Sequence, residues 1–444
     1  MEKKMFVGTE ILGVGPQIVD NSMIRCSIWV AVIATLSLFG SCSKKNETPE
    51  ETGNSKFLGF VGADSLSSEF VFSEGSPIKI SLNQDQINSK VKLSDLMADY
   101  RLVSLKNWEG GVVGAVDKIL FTDSLAFIFD QYIYNSLQVF DLFSGEQVGL
   151  FYPTGEGPGE MKNIAEFDLD ESNRRILIYD NSLAKMLYFT FEGKFLFEKR
   201  LPIRGHSFKI FPDNQLLFSS IGDANDHLGK TGASDLFLLD SNYTIRNIYK
   251  YPKIDQKLSQ YIPRDVIREN GGTVTYFPRF SSELFQIERE SKTLKPLIHV
   301  DLGSEGLSDE DLKNVGPEFI SERREDKKFY GFGFHFVTPN WIGMKFDASR
   351  SELYVFHNLK SGEVLSGKTV DFDFEDLISF SFPMACRGNT CITELSLEHF
   401  REYDLSDLFQ KLAKENGRDY SKIKSFLESV EDFEQPILLV FTLK

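Results

Sequence analysis

The chain has 444 residues, 41% of them hydrophobic, and a formal net charge of −16. That acidity repels phosphate backbones and anionic lipid head groups, which excludes nucleic acid as a partner and membrane attachment by surface charge. Forty phenylalanines against four cysteines and six histidines describe a chain built on aromatic packing, with few groups for metal or thiol chemistry.

The first element is a leader. An apolar run over residues 28–39 leads into Gly40, Ser41 and Cys42, followed by a polar stretch over 43–51. A basic start, a short apolar segment and small residues before the cut mark a secretory signal. A cysteine directly after them is the acceptor for bacterial lipoprotein processing, which places diacylglycerol on the Cys42 thiol. The run is too short for the roughly 20 residues a spanning helix needs. Met23 gives a leader of ordinary length and is the alternative start. Residues 42–76 are rich in Ser, Glu and Gly and read as a flexible tether.

From Pro77 onward short β-branched and aromatic runs recur between Gly, Asn and Asp turns. Leu125–Asp130 and then Leu137–Leu142 lead to a turn at Ser144-Gly145. Arg175–Asp180 and residues 186–189 lead to a turn at Glu192-Gly193. Weaker copies start near Asp235, Glu283 and Glu352. A strand ending in Asp, a turn, a second strand and a Gly turn, repeated every 40–60 residues, predicts a β-propeller of five or six blades. The recurrent Asp is expected to hold turn N–H groups and not a metal. The last strand, 436–443, is expected to close the ring against residues 77–82, removing both edges. Helices are few: one capped by Ser308 over 307–313, and two more over 406–415 and 421–430, placed on the rim.

Three segments bear on function. Residues 155–160 (Gly-Glu-Gly-Pro-Gly-Glu) are glycine-rich but lack the Lys-Ser/Thr of a phosphate loop, and read as a blade connection. Phe329, Tyr330, Phe332, Phe334, His335 and Trp341 form an aromatic segment with the chemistry of a sugar-stacking surface, or else a plain core strand. Cys386 and Cys391 flank a Gly-Asn hairpin tip and are expected to form a disulfide in an oxidising compartment. Of the histidines, His206 and His335 are the two placed to face a central channel.

The Gly-Pro-Gly-Glu element at 157–160, the opening Ser94-Asp95-Leu96 with residues 100–105, and the ending at 434–440 resemble six-bladed, NHL-like β-propeller lipoproteins of Bacteroidota. Gln435 departs from that pattern, which has asparagine there. The resemblance implies an all-β, six-bladed β-propeller with a few rim helices, covering residues 77–444. It also implies a lipid-anchored protein of the cell envelope, at the outer membrane, facing the periplasm or the cell surface. It carries no catalytic residue. The sequence therefore favours a binding or scaffold module for a glycan, peptide or envelope protein. The alternative is a propeller hydrolase or lyase with a central-channel site. No metal site, nucleophile–base signature or cofactor motif is present, and calcium in the channel is the one ion the architecture would admit.

Overall fold

The computed structural model describes residues 6–7, 68–73, 75–106, 111–220, 225–250, 265–313, 328–348, 351–371, 381–395, 409–411, 414, 420–430 and 435–444. Cys42, most of the expected tether and most of the expected 406–415 helix lie outside them. No helix among the described residues is long and apolar enough to cross a membrane.

Six sheets, each built on four antiparallel strands ordered from the channel outward, make a six-bladed propeller, and three of them gain further strands at the outer edge. Blade one starts at Lys118–Phe121, blade two at Glu166–Asp170 and blade three at Ser207–Ile210. Blade four starts at Ile267–Asn270, blade five at Tyr330–Val337 and blade six at Ala385–Arg387. The second strands explain the continuous apolar runs. In Leu125–Asp130 the residues Phe127 and Phe129 pack toward blade two, while Ala126 and Ile128 pack toward blade six. Both faces of each blade are buried, so the usual hydrophobic–polar alternation disappears. One hydrophobic cluster fills each of the six blade-to-blade interfaces. Phenylalanine suits these gaps because each ring buried contributes about 1.5–3 kcal/mol.

The recurrent Asp does hold turns. Asp130 Oδ2 accepts from the N–H groups of Gly114 and Ala115, and its Oδ1 from Ile133 and Tyr134. Asp180 does the same for Lys162, Asn163 and Leu183. Asp141 and Asp240 hold outer turns through Ser144 and Thr244. Each carboxylate satisfies donors that would otherwise be orphaned where the chain leaves the sheet.

Ring closure differs from the expectation. Ile437–Leu443 pairs with Met97–Ser104, not with residues 77–82. Residues 97–104 form the outermost strand of blade six, and the next strand in the chain is the innermost of blade one. That is the same outer-to-inner connection used between all the other blades, and a strand at 77–82 does not supply it. Ile78–Ser81 instead lies parallel to the outer strand of blade four.

The N-terminal part of the described chain is a strap around the rim. Ser68–Glu69 pairs with blade three, Val71–Phe72 with blade four, and Lys90–Lys92 with Thr369–Asp371 beside blade five. Residues 68–73, drawn as tether from the sequence, therefore belong to the propeller. Phe70 is buried between blades three and four. The strap covers strand edges that would otherwise offer unpaired N–H and C=O groups. Two-residue Phe6–Val7, within the expected leader, pairs with the outer strand of blade one. Asp309–Lys313 is a short helix with Ser308 as its cap, and Ser421–Glu428 buries Ile423 and Leu427.

Candidate functional site

The innermost strands turn charged side chains into the channel. Lys118 of blade one reaches Glu166 of blade two at 2.9 Å and Asp265, just before blade four, at 3.3 Å. Lys209 of blade three reaches Asp168 at 3.0 Å and Glu269 at 3.8 Å. Arg268 donates to the Pro383 carbonyl at 3.1 Å and faces Asp265 at 4.0 Å. Burial works against the charge on Lys118, but Glu166 and Asp265 outweigh it and hold the ammonium firmly protonated. Burial, reinforced by Asp265, pushes Glu166 up to about 7 despite the pull of Lys118. Lys209 is likewise raised because Asp168 and Glu269 outweigh its desolvation. These groups come from blades one to four and neutralise one another across the channel.

The inner strands end at a wide cavity of about 1050 Å³ lined by Asp123, Glu171, Lys209, Glu269, Arg289 and Arg387 among others. Asp168, Lys209, Glu269, Asn270 and Cys386 also bound a smaller chamber of about 70 Å³, deeper in the channel beside Lys118 and Arg268. Among the described residues no group of three or more His, Cys, Asp or Glu is arranged to hold a metal ion. The channel carboxylates Glu166, Asp168, Asp265 and Glu269 each face a lysine, which is a poor donor set for the calcium considered from the sequence.

A buried hydroxyl–imidazole pair lies behind the channel wall. His335 Nδ1 donates to the Gly333 carbonyl at 2.8 Å, so Nε2 carries the lone pair and accepts from Thr275 Oγ1 at 2.8 Å. Burial, with Arg268 nearby, lowers the imidazole to about 3. Burial thus works against Nε2 taking up the hydroxyl proton.

The aromatic segment is not one surface. Phe329 and Trp341 are buried in different inter-blade clusters, and His335 is fully enclosed. Trp341 Nε1 donates to the Lys444 carbonyl at 3.0 Å, fixing its ring beside the chain end. Only Tyr330, Phe332 and Phe334 are half-buried. Tyr330 and Phe332 pack around Phe280, while the Phe334 ring sits 4.0 Å from Lys345 Nζ. The alternation of an inner strand sends neighbouring residues to opposite faces, which splits the segment. Gly331 permits the close approach of blade four: a Cβ there would lie 2.3 Å from the Ser281 carbonyl oxygen.

Cys386 and Cys391 form a disulfide directly across the Ala385–Arg387 and Thr390–Leu395 pair. The glycine-rich stretch at 155–160 is a closed turn. Glu160 accepts from the Gly157 N–H at 2.8 Å, so its carboxylate occupies the place an anion would take in a phosphate loop. Lys185 Nζ reaches the Gly157 carbonyl and Glu198.

At the opposite end of the channel, blade one presents a feature the sequence reading passed over. Tyr132, Ile133 and Tyr134 are 73%, 58% and 55% exposed, beside Val112 at 45%. Their loop is rigid. Asp130 holds the N–H groups of Ile133 and Tyr134, and Asp117 Oδ2 holds those of Gln131 and Tyr132 at 2.7 and 3.3 Å. Asn135 ties the loop to Ile164 of the next blade in both directions. The matching loop of blade two hangs from Asp180 in the same way but carries Asn181, Ser182, Leu183 and Ala184. The fold therefore does not require large apolar side chains at this position.

Charged channel, inter-blade clusters and outer-strand closure together define a six-bladed β-propeller. Residues 77–442 match the family described as a domain of unknown function, DUF4934, and the chain belongs to that family. No curated protein matches it. Among solved structures it is similar to a Bacteroides fragilis protein described as a "putative exported protein". The TM-score is 0.63 at 17% identity, over 83% of this chain and all of that one. A DUF4221 member from Bacteroides vulgatus aligns at a TM-score of 0.46 and 8% identity, over 79% of this chain and 97% of that one. A streptogramin B lyase aligns at 0.35 and 13%, over 67% and 80%. At these identities the first likeness speaks for the fold alone.

Proposed function

We propose that this chain is a non-enzymatic binding module of the bacterial cell envelope, lipid-anchored at the outer membrane through Cys42, that docks a protein partner on the Tyr132–Ile133–Tyr134 loop. The observation that carries the reading is that loop. Three large exposed side chains stand on a backbone tied down by two inward-turned carboxylates, and the equivalent blade-two loop shows the fold can do without them. Exposed tyrosines on a preorganised loop give contact area at low entropic cost, as binding loops do. The loop and its neighbours at 111–116 carry no charged side chain, so a neutral, apolar socket fits them better than an ionic surface. In keeping with binding, Asp168, Asp265 and Glu269 each face a lysine, and burial lowers the imidazole of the Thr275–His335 pair. The leader and the likeness to a protein described as exported are in keeping with an envelope location.

The test is a combined Tyr132→Ser, Ile133→Ser and Tyr134→Ser variant, compared with the parent for proteins crosslinked in intact envelopes. A species lost from the variant, with the melting temperature unchanged, supports the reading. Identical crosslinking profiles would overturn it.

A further inference from the structure

The hairpin tip of blade six does not stop at its own blade. Gly388 N–H donates to Asn270 Oδ1 at 2.7 Å, and Asn270 Nδ2 donates back to the Gly388 carbonyl at 2.8 Å and to the Val337 carbonyl of blade five at 3.0 Å, joining blade six to blades four and five. In the other direction Arg387 Nε donates to Asp123 Oδ1 of blade one at 3.1 Å. Its Nη1 donates to Glu171 of blade two at 2.5 and 2.6 Å. One three-residue tip thus lies over the channel mouth and bonds to three other blades.

We infer that residues 387–389 are a latch over the channel mouth, and that the Cys386–Cys391 disulfide keeps this latch shut until a dithiol reduces it.

The contacts of the tip are polar and partly solvated, and exposed ion pairs of this kind hold weakly by themselves. Within its own blade the tip is held where the Leu443 N–H donates to the Asn389 carbonyl at 2.8 Å, and by the staple immediately beneath it. The disulfide spans a sequence separation of only 5, so it constrains the turn and little else. The outer strands of blade six do not need it for register, because Thr390–Leu395 pairs along its length with Ile437–Leu443, which pairs in turn with Met97–Ser104, and the inner strand is also paired at Ala385 with Ile392 and at Arg387 with Thr390. Gly388, at φ +56° and with nothing within 4 Å of a would-be Cβ, is a turn residue with room to move.

Access to the two sulfurs is unequal. Cys386 lines both the mouth and the inner chamber, whereas Cys391 is completely buried. A thiolate of the dithiol attacks Cys386 Sγ, the S–S bond breaks, and Cys391 leaves as a thiolate that takes up a proton. The second thiol of the reductant then displaces Cys386 as a thiol, and the reductant ends as a cyclic disulfide. Two electrons and two protons pass to the protein. The freed tip releases Asn270, Asp123 and Glu171, and the mouth widens above the chamber at Lys118 and Arg268.

Hydrogen exchange followed by mass spectrometry on the oxidised protein, and on protein reduced with dithiothreitol, tests this. Exchange in a peptide spanning 385–391 should rise at least tenfold on reduction, with residues 392–395 unchanged. An Asn270→Ala variant, still oxidised, should show part of the same rise. Equal exchange of 385–391 in both redox states would overturn the inference. So would a rise that spreads through 392–395, because the disulfide would then be holding the blade and not a latch.

Discussion

Lys118 Nζ lies 2.9 Å from Glu166 Oε1, and both side chains are buried in the channel wall. Glu166 is pushed up to about 7 by burial and by Asp265, against the pull of Lys118. In the unfolded chain this carboxyl returns to its ordinary value of 4.5. Between those two values the folded protein keeps a proton that the unfolded chain has released. The contribution is therefore fully present below pH 4.5 and lost as pH rises through 7, a span of about 3 kcal/mol. Melting temperature should fall across this window in the parent, and the slope should flatten in Glu166→Gln. A parallel slope in the two proteins would refute the assignment.

Removing Asp130 should be costly for a turn residue. Asp130→Ala leaves four N–H groups, on half-buried Ala115 and on exposed Gly114, Ile133 and Tyr134, without their acceptor, and an expected loss of about 1–2 kcal/mol is read by urea denaturation. Asp130→Asn retains one acceptor oxygen and should lose less. The same variants should speed hydrogen exchange in residues 131–135, because the carboxylate is what keeps the Tyr132 loop in one conformation.

Phe70 distinguishes a strap from a tether. Its ring is buried with Phe211, Tyr249 and Phe285 between blades three and four. Phe70→Ala should lower stability by about 3 kcal/mol, in the range for aromatic truncation in a core. A residue of a loose linker would give no change, so an unaltered denaturation midpoint would return residues 68–73 to the tether.

Much of the fold was legible because blades are local. Strands adjacent in sequence pair with each other, so Leu125–Asp130 and Arg175–Asp180 announce their sheets within a few tens of residues. Asp130 and Asp180 were readable as turn holders because their partners lie nearby in the chain. The strap was not readable: Phe70 sits in a polar stretch, and nothing local shows that it meets blades more than a hundred residues away. Closure by residues 97–104 was missed because several N-terminal segments are equally apolar.

The channel and the latch follow the same division. Lys118, Glu166, Lys209 and Arg268 stand some 40–60 residues apart, one per blade, and spacing along the chain carries no sign that they meet. In residues 329–341 the sequence supplies the aromatic rings, but strand alternation and blade packing decide which of them are enclosed. By itself the sequence determined the repeating unit, its turn chemistry and the overall acidity, all products of local order and composition. Only the tertiary structure decided which charges neutralise one another, which aromatics stay exposed and what the blade-six tip reaches, because closing a ring joins residues that the chain keeps far apart.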